Sequence, residues 1–367
     1  MFYIREILEG FFRRLRSFVS PASFQFFMEC RRNIIDTKLL NGPVLAFDLV
    51  GQQIDKVGGR YLYQIYMEFK SLGLPMIFRL NYEFCTTFAF KKYKKLIWET
   101  NISFYVENST VPSGSILVTD RTTLVKPNNF SRLFIIKFGE ERSKHPWETE
   151  LPFSVHPKIF HPKNDFSFLR DNAVPSKQIF FAGSSVKNKY NRKKLKDKYS
   201  IITRFEALNL LKKHLSDDPD LFHQKDKITI LDKSDDRIES ANWMESLADS
   251  AFFLALPGVA MPLCHNAVES LALGVVPILQ YPQYFTPPLE HKVNCLVYNN
   301  EKELIDAVKY ALRLDEREIK KISSACVNYY ESHLALGVFA KELMAKEEKT
   351  VTIFVDAYRV RRHQENE

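Results

Sequence analysis

From Ala251 to Leu279 the chain reads AFFLALPGVAMPLCHNAVESLALGVVPIL, a continuous apolar run, a loop, an amphipathic stretch and a second apolar run. Phe252–Leu256 has the pattern of a strand buried on both faces. The loop Leu256–Pro262 carries Gly258 and opens a helix bearing His265, Asn266 and Glu269, which Gly274 stops. Val275–Leu279 is the next strand. The same order occurs near the front. Pro43–Val50 predicts a buried parallel strand, Gly51–Arg60 a glycine-containing loop, and Tyr61–Gly73 a helix. Leu62, Ile65, Tyr66 and Phe69 share one face of that helix, and Leu74–Arg79 is the strand that follows.

Shorter apolar runs predict strands at Lys95–Trp98, Ile102–Val106, Ser115–Val118 and Leu133–Phe138. Leu151–Pro162 is rich in proline and reads as a crossover. Lys177–Ala182 then begins a second series, a strand ending in Gly183-Ser184-Ser185. Helices are expected at Arg204–His214, Trp243–Ser250, Glu301–Leu312, Lys320–Leu334 and Val338–Lys346, with strands at Ile228–Leu231 and Cys295–Tyr298. Alternation in both halves predicts an α/β protein of two Rossmann-like domains with largely parallel sheets facing a central cleft. The expected division is residues 1–160, residues 161–340, and a tail, 341–367, that packs back on the first domain. Such sheets bind ligands at the carboxyl ends of their strands.

The length of 367 residues suits two domains, and 45% hydrophobic with 26% charged residues is an ordinary globular composition. The net charge of +8 directs attention to anionic partners. No nucleic-acid-binding signature is present, which leaves phosphorylated substrates or an anionic membrane surface. The five cysteines are scattered without a CxxC pair, so neither a disulfide framework nor a zinc site is expected, and reduced thiols point to the cytoplasm. Within residues 1–19, Ile4, Leu8, Phe11, Phe12, Leu15 and Phe18 recur at helical spacing among Arg5, Arg13, Arg14 and Arg16. Two readings are open: a helix lying on anionic lipid at the inner face of the plasma membrane, or a helix docked on the protein with its arginines in water. Arg5, Glu6 and Glu9 argue against a secretory leader.

Four constellations carry candidate chemistry. In the first, Pro257 and Gly258 precede a helix start, where free N–H groups and the helix dipole favour an anion. His265, Asn266 and Glu269 share a flank of that helix, and a carboxylate there suits a ribose diol. In the second, Gly183, Ser184 and Ser185 lie at a strand end with Lys187 and Arg192 behind them, groups fit to hold and neutralise a diphosphate. Most of the basic run to Lys198 reads as a solvated face. In the third, Gly58, Gly59 and Arg60 stand at the mouth of the first sheet, and Asp48 ends its first strand. Asp48 is either a base for an acceptor hydroxyl or a turn cap. In the fourth, His156 and His161 stand in the crossover, as hinge histidines or proton carriers. Neither a GxGxxG fingerprint nor a P-loop is present.

Taken together, Val57–Gly73, Ile179–Ser184, Pro257–Pro277 and His291–Val297 resemble the glycosyltransferases of the GT-B architecture, both group 1 and exostosin-like members. The resemblance implies donor binding by Glu269 and the glycine loop, with Gly274-Val-Val-Pro-Ile278 as the strand that follows. Val259-Ala260-Met261 stand where retaining members carry a further glutamate, and His265 stands near the arginine of exostosin-like members. The implied function is transfer of a sugar from a nucleotide-sugar donor to a glycan or lipid-linked acceptor, in surface polysaccharide or glycolipid synthesis, with no metal and no other cofactor. A sugar-nucleotide epimerase of similar fold and a non-catalytic binding or scaffold protein are the alternatives.

Overall fold

The computed structural model describes residues 20–50, 59–86, 91–107, 109–121, 130–138, 143, 145–160, 166–191, 193–232, 238–259 and 261–355. The chain forms two compact units. One runs to Leu151 and resumes at Phe339, and the other is Pro152–Val338. In chain order the strands are β1 (Leu45–Asp48), β2 (Met76–Arg79), β3 (Ser103–Tyr105), β4 (Ser115–Thr119), β5 (Phe130–Phe138), β6 (Glu148–Glu150), β7 (Lys177–Ala182), β8 (Ile228–Leu231), β9 (Ser250–Leu254), β10 (Val276–Leu279), β11 (Leu296–Val297) and β12 (Thr350–Val355).

Among the described residues the first unit holds a seven-stranded sheet in the order β3-β2-β1-β4-β5-β12-β6, parallel at every pairing. All four residues of β1 are buried, which is why this strand is a continuous apolar run rather than an alternating one. Phe47 stacks on Phe78 at 4.6 Å between ring centroids. The helix Arg60–Lys70 is buried from Tyr61 to Phe69, on every side rather than on one stripe. Its Glu68 is therefore enclosed, and its Oε2 accepts the backbone N–H of Ala340 at 3.3 Å, at the start of the helix Val338–Ala345.

The segment Lys95–Trp98 is not a strand but the end of a helix, Lys92–Trp98. Lys94 and Ile97, three apart, are its buried face. Lys94 hides that period, because its stem is in the core while its ammonium donates to the Phe84 carbonyl at 3.2 Å and lies 3.7 Å over the Phe84 ring.

The boundary between the units falls at Leu151, not residue 160, because Ser154 and His156 are bonded into the second unit at His265 and Glu269. From Phe339 the chain rejoins the first unit, where β12 enters the sheet between β5 and β6. Arg132 fixes this return, donating to the carbonyls of Met344 and Lys346 at 2.6 Å each and of Glu348 at 3.1 Å.

The second unit has a five-stranded parallel sheet in the order β11-β10-β9-β7-β8. From β7 the chain builds outward to β8, then crosses back to lay β9 on the other side of β7. The strand order thus reverses between β7 and β9, the topological switch point at which open parallel sheets bind ligands. Gly274 has φ +71° and lies where a Cβ would stand 2.7 Å from Ser323 Oγ, so close packing against the helix Glu316–His333 reinforces the stop. No helix among the described residues is long and apolar enough to cross a membrane.

Candidate functional site

The carboxyl edge of β7 and β9 gathers three pieces of chain: Gly183-Ser184-Ser185, Leu256-Pro257-Gly258, and the start of the helix Arg204–Asp217. The last of these is a capping box. Thr203 Oγ1 accepts the Glu206 N–H, and the Glu206 carboxylate accepts the Thr203 N–H at 3.2 Å. This box sets Arg204 at the first helical position, aimed into the switch point.

Arg204 joins the two loops. Its Nε donates to the Pro257 carbonyl at 3.1 Å, and its two terminal nitrogens donate to Leu256 and Ser184 carbonyls at 3.4 Å each. Its guanidinium lies 4.3 Å over the Tyr190 ring and 5.9 Å from that of Phe181. A guanidinium has five N–H donors, so two remain without a protein acceptor among the described residues. No carboxylate pairs with Arg204 among those residues. The result is a fixed, half-buried positive charge held only by carbonyls and rings.

The neighbouring side chains divide into those at this edge and those committed elsewhere. Gly183 has φ +153°, and a Cβ there would stand 3.4 Å from Arg204 Nη1. Lys187 is exposed, with its ammonium 5.7 Å over the Phe205 ring beside the same helix start. Pro257 supplies the carbonyl for Arg204. Gly258 is required by its own loop: a Cβ would stand 2.8 Å from the Met261 carbonyl oxygen. Arg192 and Gly58 lie outside the described residues, as do His161, residues 1–19 and the tail beyond Val355.

The helix His265–Ala272 begins without a side-chain cap at Cys264 and without an acid in its first turn, which leaves its N-terminal dipole uncompensated. His265 Nδ1 meets the Ser154 carbonyl oxygen at 2.7 Å, and since that oxygen only accepts, Nδ1 carries the proton. The His265 ring stacks on Phe153 at 5.0 Å and meets the His156 ring edge-on at 5.2 Å. Asn266 is half-buried in the first turn.

Glu269, read from the sequence as the ribose carboxylate, is buried with both carboxylate oxygens engaged. Its side chain is on the expected helix flank, but that flank is covered. Oε1 accepts the His156 N–H at 3.0 Å and Oε2 accepts Trp243 Nε1–H at 2.6 Å, and the residue is 2% exposed. Glu269 clamps the entry segment and the helix Trp243–Ala248 to its own helix. His156, through its backbone, belongs to this clamp.

In the first unit Asp48 does end β1, and its carboxylate is the centre of an ion-pair cluster. Arg79 Nη1 lies 3.1 Å from both carboxylate oxygens, and Arg121 Nε lies 3.1 Å from Oδ2. Arg79 also pairs with Glu107 at 2.5 Å. Gly59, at φ +83°, starts the helix Arg60–Lys70 against the Lys94 stem, and the Arg60 guanidinium lies 5.2 Å over the Tyr61 ring.

The capping box gives a pH signature. Burial opposes the charge on Glu206, but hydrogen bonds from Lys196 and Thr203 outweigh it and hold the carboxyl below its ordinary value of 4.5. The folded state therefore binds this proton less readily than the unfolded chain. Its stabilisation is complete above about pH 4.5 and is lost as pH falls through the depressed folded value. The urea midpoint of Glu206→Gln is expected to fall below that of the native chain at pH 7, and the gap to narrow below pH 4.5. A gap independent of pH contradicts this.

No family model matches the chain, and no curated protein matches it. Among solved structures it is similar to a glycosyltransferase from Rickettsia africae ESF-5, at 13% identity over 83% of this chain and 97% of that one, with a TM-score of 0.47. It is similar also to the N-terminal domain of Candida albicans trehalose-6-phosphate phosphatase, at 10% identity over 84% and 98%, with a TM-score of 0.43. A third, Anabaena HepE in complex with UDP, aligns at 11% identity over 83% and 100%, with a TM-score of 0.37. Likeness at this level is too slight to decide a function.

Proposed function

We propose that this chain is a glycosyltransferase of the GT-B kind whose second unit binds a nucleotide-sugar. One observation carries the reading: the guanidinium of Arg204 at the switch point of the second sheet, which no carboxylate neutralises among the described residues. A positive charge fixed by neutral carbonyls asks for an anion, and the uncapped start of the His265 helix adds dipole of the same sign. In sugar transfer an acceptor hydroxyl forms a new bond to the anomeric carbon as the bond to the diphosphate oxygen breaks. The nucleoside diphosphate leaves with the electron pair, the proton of the acceptor hydroxyl goes to a departing phosphate oxygen or to water, and Arg204 is placed for the negative charge without reorganising. On this reading the charge of the chain itself serves the leaving group, and no cofactor is called for. The acceptor is a glycan or a lipid-linked saccharide taken at the first unit, and residues 1–19 hold the enzyme on an anionic membrane surface in polysaccharide or glycolipid synthesis.

A thermal-shift screen of the full chain against UDP, GDP and CDP tests the reading. A rise in Tm with one nucleotide, abolished in Arg204→Gln, is expected. No rise with any of the three favours a scaffold protein, and epimerisation of a matching nucleotide-sugar without acceptor favours an epimerase.

A further inference from the structure

Beside Arg204, but across β7 from it, stands a second polar arrangement. Ser185 Oγ lies 2.7 Å from Asp232 Oδ2, and Lys212 Nζ reaches the same oxygen at 2.7 Å. Ser185 follows the end of β7 and Asp232 follows the end of β8, so the pair spans the carboxyl ends of adjacent strands. The Asp232 side chain is 8% exposed, whereas Ser185 is half-buried at the surface of the edge.

The direction of the Ser185–Asp232 bond restricts what Ser185 can hold. A carboxylate ion-paired to a lysine has no proton to give, so the hydroxyl is the donor. With its one proton committed, Ser185 Oγ can only accept from a ligand. A diphosphate oxygen at neutral pH has nothing to donate, so Ser185 does not suit the phosphate role its place in the loop suggests. A ligand hydroxyl does suit it, and the negative Asp232 behind the serine strengthens it as an acceptor. In the dinucleotide-binding members of the doubly wound sheets an acid beyond the phosphate-binding turn takes a ribose hydroxyl. Here that acid is Asp232, two strands away from the clamp that occupies Glu269.

We propose that Ser185, positioned by Asp232, accepts the ribose 2′-hydroxyl of the nucleotide whose diphosphate faces Arg204. The proposal rests on the donor-site reading above and moves the ribose contact from the helix after β9 to the β7–β8 edge. Asp232 acts through Ser185 and through the ion pair with Lys212, which fixes the carboxylate.

Titration calorimetry of the full chain with UDP, GDP and CDP selects the nucleotide, and its 2′-deoxy counterpart is then compared. The native chain is expected to prefer the ribonucleotide by about tenfold, the worth of one good hydrogen bond to an acceptor backed by charge. Ser185→Ala, which removes no charge, and Asp232→Asn are each expected to reduce that preference to within about twofold. Arg204→Gln is expected to weaken ribo and deoxy forms alike and to keep their ratio. A native chain indifferent to the 2′-hydroxyl, or a preference that survives in both variants, overturns the ribose assignment while the donor site stands. Absence of binding by all three nucleotides removes the donor site and this assignment together.

Discussion

A chain ended at Lys349 is expected to lose the fold of its first unit while keeping that of its second. The strand removed, β12, is internal, pairing with β5 over six residues and with β6 over three. Val351, Ile353, Phe354 and Val355 are all at most 2% exposed. Burying each such side chain stabilises by about 1.5–3 kcal/mol. Four of them contribute on the order of 6–12 kcal/mol, comparable to the whole stability of a typical domain, about 5–15 kcal/mol. The cut also bares the long strand β5 and orphans β6, a recipe for aggregation. Hydrogen exchange is the measurement: amides of β1, β2 and β4 are expected to exchange freely in the shortened chain, and those of β7, β9 and β10 to stay protected. A chain ended at Val355 is the control and is expected to behave as the full one. Unaltered protection of β1 in the chain ended at Lys349 contradicts the account.

The second large effect is on chemistry. Arg204→Gln is expected to lower the turnover of nucleotide-sugar by about 10²–10³-fold, the usual penalty for losing one positioned donor to a developing anion. Arg204→Lys is not expected to restore it. A lysine has no planar fork to bridge the carbonyls of Ser184, Leu256 and Pro257, so its charge has no fixed position. The rate of nucleoside diphosphate release reads the effect, with Tm as a check on the fold. Turnover within a few-fold of native in Arg204→Gln places the reacting group elsewhere.

The two parallel-sheet units were legible because their strands are largely apolar runs with a glycine close to at least one end, as at β1, β7, β9 and β10. Lys92–Trp98 was not, because a lysine with a buried stem counts as polar in any pattern yet occupies a core position. At the site, the loops after β7 and β9 were legible from their glycines. Arg204 was missed although T-R-F-E is a recognisable capping box. The box tells where a helix begins, but only the strand order shows that this beginning lies at the switch point. For Glu269 the burial was missed, for the complementary reason. Its helix and its flank were correct, but a periodic pattern does not say what covers a flank, and here the covering segment is 113 residues away in sequence at His156. Asp48 likewise lies where expected, and the two arginines that pair with it come from the ends of other strands.

The insertion of β12 bears also on the order of events at the ribosome. The first unit is begun first, but an inner strand of its sheet is supplied only after the other unit has been made in full. At about 5–20 residues per second, the roughly 200 residues after β6 take on the order of 10–40 s to emerge. For that interval the nascent sheet carries an open slot between β5 and β6, and the later-made half is free to finish folding before the earlier one.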